Sequence, residues 1–270
     1  MGHIMDFKLI LDAKAVMAET PVWDSRIGKL YWTDLSAGDI HRFDPETNKD
    51  EIWRTLQPIG GVCLCDNENY VLCAIESGLY ILDLRTGMLD FLLCPEKRMG
   101  YKFNDTRIDP VGRIFTSSVS KYLGTPKYTP DMLGAFYMVD TNFSIKMLVG
   151  GITQYNGIVW NRSATKMFVA NTQDQTLIQF DYDLDKGPVS GPKTVLDLDV
   201  YKRQLLPQGY PDRNERQTSH IPISALHCIR RSREEQTSYS PFCLSFPQAT
   251  FPLQKKVPDP GFPLTLLFRG

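Results

Sequence analysis

The stretch KLYWTDLSAGDIHRFDPETN, residues 29–48, decides the fold of this chain. It contains a run of strand-forming residues, a turn at Gly38 and Asp39, a second run, and a further turn that begins at Asp44. In such turns Asp and Asn side chains bond to the backbone, and Gly adopts a positive φ at no steric cost. The stretch therefore predicts a β-hairpin followed by a tight turn.

The same unit recurs three more times. The later copies begin with YVLCA at residues 70–74, RIFTS at 113–117 and KMFVAN at 166–171. Tyr31, Leu72, Phe115 and Phe168 are predicted to be equivalent, at spacings of 41, 43 and 53 residues. A strand-built repeat of about 40–50 residues is typical of a β-propeller blade. Four blades of an all-β propeller are therefore predicted over residues 6–198, with a β-sandwich as the alternative.

The repeat pattern stops at residue 199. Residues 199–204, DVYKRQ, are what the mosaic end of a transposase sequencing adapter encodes when it is read in frame. Residues 201–270 hold nine of the 18 prolines and ten Lys or Arg against five Asp or Glu, and no apolar period persists in them. We interpret residues 199–270 as an adapter-like junction and a disordered, non-native tail. A basic tail that contacts nucleic acid is the alternative.

Composition limits the partners and the compartment. The formal net charge is −1, and no apolar run approaches the roughly 20 residues that a membrane span needs. The first residues carry charges within their short apolar run, which does not fit a signal peptide. We expect a cytoplasmic protein with no nucleic-acid or membrane partner. Cys63, Cys65, Cys73 and Cys94 are then expected to be reduced core thiols, because Cys63 and Cys65 lack zinc-site spacing.

The chemistry available to the predicted domain is that of oxygen ligands. No Gly-x-Ser-x-Gly, His-Glu-x-x-His or phosphate-binding glycine motif occurs. Of four histidines, two lie in the tail, which argues against a His-centred triad or a His-rich zinc site. Carboxylate and amide oxygens remain, and these are the ligands of hard divalent cations.

Three segments place such oxygens where propeller blades begin. They read AETPVWD at residues 18–24, YKFNDT at 101–106 and QYNGIVW at 154–160. The innermost strands of a propeller converge on a central channel, so a Glu or Asn there faces a potential site. Taken singly, each residue is better explained as a turn residue than as a site residue.

Together these segments resemble the family of regucalcin (senescence marker protein), gluconolactonases and luciferin-regenerating enzymes. The family pattern Glu-Gly-Pro-x-Trp matches residues 19–23, and Asn-Gly-Ile/Leu-x-Trp matches 156–160. Arg-x-Asn-Asp-Gly followed by Asp-Pro-x-Gly-Arg matches 102–106 and 109–113. The resemblance covers about residues 8–198 and implies a six-bladed propeller, of which about four blades are present.

The resemblance implies a metal-dependent hydrolase of sugar lactones. Glu19 and Asn156 match two of the three residues that hold one divalent cation. The third, an Asp that also serves as general base, is expected beyond the break. Asn104 and Lys102 match catalytic residues that orient the substrate and stabilise the oxyanion, and with Asp105 they form the implied substrate-binding set. Calcium is the expected cation, with zinc, magnesium and manganese as alternatives.

The chain departs from the family pattern at three positions. Thr20 and Thr106 stand in place of Gly, which we expect to alter loop shape, and Lys102 replaces Arg, which exchanges a planar fork for a point charge. With four blades of six and no third ligand, this chain is expected to be inactive, whereas its intact parent is a lactonase. The alternative is a calcium-binding regulatory or ligand-binding propeller without catalysis.

Overall fold

The computed structural model describes residues 9–198, which form seventeen β-strands. The first three residues of the predicted domain and the predicted junction and tail at 199–270 lie outside the described residues. The strands are short, rich in β-branched and aromatic residues, and bounded by Asp, Asn and Gly turns. This composition suits a pleated, half-buried surface.

The strands group in chain order into four antiparallel sheets, which we call blades 1 to 4. Blade 1 consists of β1 (Ala18–Asp24), β2 (Lys29–Asp34), β3 (Asp39–Asp44) and β4 (Lys49–Arg54). Blade 2 consists of β5 (Ile59–Leu64), β6 (Tyr70–Ile75), β7 (Gly78–Asp83) and β8 (Leu89–Leu93).

Blades 3 and 4 follow the same up-and-down order. Blade 3 consists of β9 (Tyr101–Ile108), β10 (Ile114–Ser120), β11 (Gly134–Val139) and β12 (Ile145–Ile152). Blade 4 consists of β13 (Tyr155–Trp160), β14 (Lys166–Asn171), β15 (Thr176–Asp183), β16 (Gly187–Pro188) and β17 (Lys193–Asp197), and both β16 and β17 pair with β15. Four blades in a propeller arrangement confirm the predicted all-β fold.

The first strands of the blades are the innermost ones. β1 contacts β5, β5 contacts β9, and β9 contacts β13, so these four strands line the channel side of the arc. An apolar core fills each gap between blades: Tyr31 packs with Val62 between blades 1 and 2, and Phe115 packs with Met167 between blades 3 and 4. Each such fully buried side chain contributes about 1.5–3 kcal/mol. The cores therefore fix where the innermost strands lie.

Phe168 is equivalent to Tyr31, as predicted. Its pairing with Val159, next to Met167 with Trp160, repeats the pairing of Tyr31 with Val22, next to Leu30 with Trp23. Phe168 is half-buried, whereas its neighbours Met167 and Val169 are fully buried. Tyr31 faces blade 2, whereas the corresponding face of blade 4 has no following blade within residues 9–198. Phe168 lies opposite Val159 in the β13–β14 register, and Val159 is 47% exposed, so the two share the outer face of blade 4.

The predicted turns and cysteines were confirmed. Asp44 Oδ1 accepts a hydrogen bond from the Glu46 N–H, Asp83 Oδ1 from the Arg85 N–H and Asp183 Oδ1 from the Asp185 N–H, as expected for turns closed by Asp. Cys63, Cys65 and Cys73 are fully buried free thiols, and Cys94 is a partly buried one. Burial raises the pKa of the Cys63 thiol to about 12, so this side chain behaves as a small core residue.

Candidate metal and substrate site at the innermost strands

Each innermost strand contains a β-bulge. The bulges lie between residues 19 and 22 in β1, 59 and 61 in β5, 103 and 106 in β9, and 156 and 159 in β13. An extra residue in one strand bends it and re-aims its side chains. Three of the bulges contain or begin at predicted site residues, and the fourth, in blade 2, contains Gly60.

Side chains from three blades meet in one cleft. Its lining residues are Glu19, Thr20, Asp105, Arg107 and Asn156. The structure therefore brings together both predicted metal ligands and one of the predicted substrate-binding residues. The other two, Asn104 and Lys102, are not lining residues of the cleft.

Asn104 and Asn156 form a hydrogen-bonded amide pair across the gap between blades 3 and 4. Asn104 Nδ2 donates to Asn156 Oδ1 at 2.6 Å and to the Tyr155 carbonyl at 2.8 Å, and Asn104 is only 4% exposed. Asn156 Nδ2 donates to Thr172 Oγ1 at 2.7 Å. These bonds fix the orientation of the Asn156 amide, whose oxygen keeps a second lone pair for another partner.

Asp105 is a cleft side chain with an unused hydrogen-bond acceptor. Its Oδ2 accepts the Gly157 N–H at 2.6 Å and the Ile158 N–H at 3.4 Å. Its Oδ1 forms an ion pair with Arg107 Nη1 at 2.7 Å. The Arg107 N–H bonds are not directed at Oδ1, so this oxygen is buried without a hydrogen bond. The same Nη1 donates to the Thr106 carbonyl at 2.9 Å. A buried, ion-paired but unbonded carboxylate oxygen is costly unless a ligand completes it.

Glu19 faces this carboxylate from blade 1. Burial raises the pKa of Glu19 most, the negative charge of Asp105 raises it further, and the positive charge of Lys102 partly offsets both. Two carboxylates that raise the energy of each other's charged form favour a cation between them. Lys102 therefore lies within electrostatic reach of Glu19 although it does not line the cleft.

The backbone next to Glu19 keeps the shape of a glycine loop. Thr20 has a φ of 52° and is 4% exposed. A positive φ is an outlier for a β-branched residue, since its Cβ crowds the backbone there. Thr20 thus has the left-handed backbone conformation that Gly adopts freely. The φ angle at this position therefore does not show the expected change of loop shape. Thr106, the second departure, has no positive φ and pairs its hydroxyl with Thr116 Oγ1 at 2.7 Å.

The donor chemistry of the cleft fits part of a site for a hard cation. Glu19 supplies a carboxylate, Asn156 an amide oxygen, and Asp105 Oδ1 is an orphaned buried acceptor. Within residues 9–198 no group of three or more His, Cys, Asp or Glu side chains is suited to hold a metal ion. Because calcium takes roughly six to eight oxygen ligands, the described residues supply only some of them.

Arg107 is the functional candidate that the sequence analysis missed. It lines the cleft and carries the positive charge closest to Asp105. Its spacing of two residues from Asp105 is the signal that could have found it, because alternate residues of a strand share a face.

No helix in residues 9–198 has the length and apolar character of a membrane span.

The chain has sequence relatives that match it over most of its length. Residues 17–213 match the family model described as SMP-30/Gluconolactonase/LRE-like region. The chain is 27% identical over 196 residues to YvrE of Bacillus subtilis (strain 168), an assigned sugar lactone lactonase, covering 72% of this chain and 65% of that protein. It is 25% identical over 197 residues to regucalcin of Xenopus laevis, covering 73% and 63%. The chain thus spans slightly under two thirds of the length of these relatives.

Solved structures share the fold. A luciferin-regenerating enzyme aligns with a TM-score of 0.63 at 19% identity, over 70% of this chain and 63% of that one. A calcium-binding protein, regucalcin, from Agrobacterium tumefaciens aligns with a TM-score of 0.61 at 19% identity, over 68% and 60%. The matched family range runs to residue 213, so the boundary at residue 199 stays a prediction. With a family match over most of its length, the chain belongs to the SMP-30/gluconolactonase/LRE-like family.

Proposed function

We propose that the complete protein to which these four blades belong hydrolyses a sugar lactone with the help of one divalent cation, calcium first among the candidates. The observation that carries this proposal is the pair of carboxylates, Glu19 and Asp105, in one cleft with the Asn156 amide. Relatives named as lactonases support the substrate class. The sugar is left open, since the relatives are named for different lactones.

Glu19 and Asn156 are the proposed metal ligands. A cation held there would act as a Lewis acid on the lactone carbonyl and lower the pKa of a water molecule. Glu19 provides charge, and its raised pKa means that a nearby cation stabilises its ionised form. Asn156 provides a neutral oxygen, held in place by Asn104. A third ligand, an Asp that also acts as general base, is proposed to lie outside residues 9–198.

Asn104 and Lys102 are the proposed catalytic residues, and with Asp105 they would bind the substrate. Lys102 brings a positive charge close to Glu19, where it would stabilise an oxyanion that develops on the lactone. Asn104 already donates both its bonds to Tyr155 and Asn156, so a substrate contact requires it to redirect one of them. Asp105 and Arg107 would form the wall that meets sugar hydroxyls, because between them they offer both an acceptor and donors.

The second candidate function is calcium binding without catalysis. The observation in its favour is the fold shared with the Agrobacterium protein, which is described as calcium-binding. The residues that hold a cation would be the same in both cases. Turnover in the complete protein is therefore the discriminating property.

The test compares cation binding with turnover. In this chain, Glu19→Gln should weaken calcium or manganese binding, measured by calorimetry, by about 10- to 100-fold. Glu76→Gln is the control, since Glu76 is a partly exposed carboxylate that pairs only with Lys121 outside the cleft. In the complete protein, hydrolysis of gluconolactone, followed by acid release, should disappear with a chelator and in Glu19→Gln.

The outcomes separate the candidates. Cation binding without lactone turnover in the complete protein would favour the regulatory function. Chelator-insensitive turnover would contradict the metal-dependent one. We propose further that residues 1–270 alone lack activity for want of the third ligand, and lactonase turnover by this chain would overturn that.

The buried free thiols support a reducing, cytoplasmic location.

A further inference from the structure

We propose that Gly60 is a positioning residue of the cleft: blade 2 contributes to the site by having no side chain at its bulge. The inference rests on the proposed function for its effect on cation binding, and on geometry alone for its effect on Asn104. Blades 1, 3 and 4 each place a polar side chain at the bulge of the innermost strand, whereas blade 2 has Gly60 and Gly61 there.

The space at Gly60 is filled by the backbone of blade 3. A Cβ at this position would lie 2.3 Å from the Phe103 carbonyl oxygen and 2.5 Å from the Asn104 carbonyl oxygen. Real Cβ atoms essentially never approach other atoms closer than 3.0 Å. Gly60 does not have a positive φ, so its conformation is open to any residue. Glycine is needed at Gly60 only because the bulge of β9 occupies the room that a side chain would take.

The atoms in that contact are those that orient the site. The carbonyls of Phe103 and Asn104 belong to the β9 bulge, and the Asn104 side chain leaves the same bulge to reach Asn156 Oδ1 at 2.6 Å. The next residue, Asp105, is tied to the Gly157 N–H at 2.6 Å. A push of a few tenths of an ångström on this backbone therefore alters the Asn104–Asn156 bond and the seat of Asp105 together, since hydrogen bonds weaken quickly when distance and angle change.

A purely steric role can be separated from positioning, because the chain offers a matched glycine. Gly134, at the start of β11, also lacks a positive φ, and a Cβ there would lie 1.9 Å from the Ser118 carbonyl oxygen. Its neighbours are not lining residues of the cleft. Gly134→Ala therefore introduces a clash at least as severe on a second strand pair of the same blade. This clash reaches the β9 bulge only indirectly, through the pairing of Ser118 with Phe103.

The experiment uses Gly60→Ala and Gly134→Ala in residues 1–270, with two readouts. The first is the NMR signal of the Asn104 side-chain amide, assigned by its loss in Asn104→Asp. The second is the calorimetric affinity for Ca²⁺ and Mn²⁺. Both variants should lower the melting temperature. Gly60→Ala should shift the Asn104 amide signals more than Gly134→Ala does, and it should weaken cation binding by about 10- to 100-fold, the larger loss of the two.

Each outcome decides the point. Unchanged Asn104 signals in folded Gly60→Ala overturn the proposal, as do equal affinity losses in the two variants. If Gly60→Ala does not fold, Gly61→Ala takes its place, since its Cβ would lie 3.1 Å from Thr106, a contact that a small shift relieves. A smaller shift of the same Asn104 signals is then expected, and its absence overturns the proposal. If the wild-type chain binds no cation, the proposed function fails while the amide readout still decides the role of Gly60.

Discussion

Two aspartates four residues apart, Asp109 and Asp105, have opposite hydrogen-bond environments. Asp109 is fully buried, and its Oδ1 accepts the N–H groups of Val111 and Arg113. Its Oδ2 accepts Arg113 Nε at 2.6 Å and the Tyr182 hydroxyl. Asp105, by contrast, keeps a buried oxygen without a hydrogen bond. The difference teaches that two carboxylates of one strand region serve different ends: the satisfied Asp109 links blades 3 and 4, whereas the unsatisfied Asp105 lines the cleft.

The satisfied group acts between blades. Arg113 Nη2 donates to the Leu184 carbonyl at 2.6 Å and to the Tyr182 hydroxyl at 2.9 Å, both of blade 4. Arg26, paired with Asp24 of blade 1, donates in the same manner to the Cys65 carbonyl of blade 2 at 2.8 Å. The Asp-Pro-x-Gly-Arg segment that helped to identify the family therefore has a structural role, because it links blade 3 to blade 4.

The largest expected effect on stability comes from removing the ion pair between Asp109 and Arg113. Arg113→Met leaves Asp109 buried without its cation, which should lower the free energy of unfolding by about 3–5 kcal/mol. Urea denaturation followed by fluorescence measures the change. The control is Arg85→Met, which removes an Asp–Arg ion pair whose arginine is 55% exposed and should therefore lower stability far less. Equal losses in the two variants would contradict the distinction.

A smaller effect is expected at Glu96, a second satisfied carboxylate. Burial opposes its ionisation, but bonds from Arg98, Ser118 and Tyr137 outweigh burial and lower its pKa to about 2. A lowered folded-state pKa stabilises the protein above the unfolded value of 4.5, and this contribution is lost as the pH falls from there toward 2. Glu96→Gln should cost about 1.5–3 kcal/mol at pH 7, because it removes charge-assisted bonds.

The measurement for Glu96 is the difference in unfolding free energy between wild type and Glu96→Gln at several pH values. The difference should shrink below pH 4.5. A difference that does not depend on pH would assign the loss to packing instead of charge.

The smallest effect, and one of opposite sign, is expected at the unsatisfied cleft. The pKa of Glu19 is raised, so its ionised form costs stability at neutral pH, and the cost disappears as the pH falls through the folded-state pKa toward 4.5. Without added metal, Glu19→Gln should therefore be slightly more stable than wild type at pH 7, by less with each step toward pH 4.5. Thermal denaturation in a chelator measures this. A destabilised Glu19→Gln would place Glu19 among the satisfied carboxylates.

The propeller was predictable because its evidence is local. Three of the four hairpins, each with its closing Asp turn, lie within about 20 consecutive residues, and the repeat multiplies that signal. The exposure of Phe168 was not predictable from the repeat, since it depends on which blade covers that face of its sheet and not on its position in the strand. Likewise, nothing near Asp109 in the sequence reveals Tyr182, its partner 73 residues away.

The site was predictable in its members and not in its arrangement. Glu19 and Asn156 were identified through family motifs, and the cleft contains both. Arg107 was missed because the motif ends at Thr106. The bond between Asn104 and Asn156 depends on two bulges in different blades, and the strict alternation of strand residues does not foresee a bulge.

Because a bulge recurs in every innermost strand, the residues that determine the fold are largely different from those that determine the binding chemistry. Most residues of the hydrogen-bond ladders and of the cores between blades lie away from the bulges, so substitution of a polar residue at a bulge leaves them largely intact. Natural variation at a few such positions can therefore exchange one ligand-binding repertoire for another while the scaffold stays constant. Gly60 limits this variation, because the backbone of blade 3 occupies the space that a side chain at this position would need.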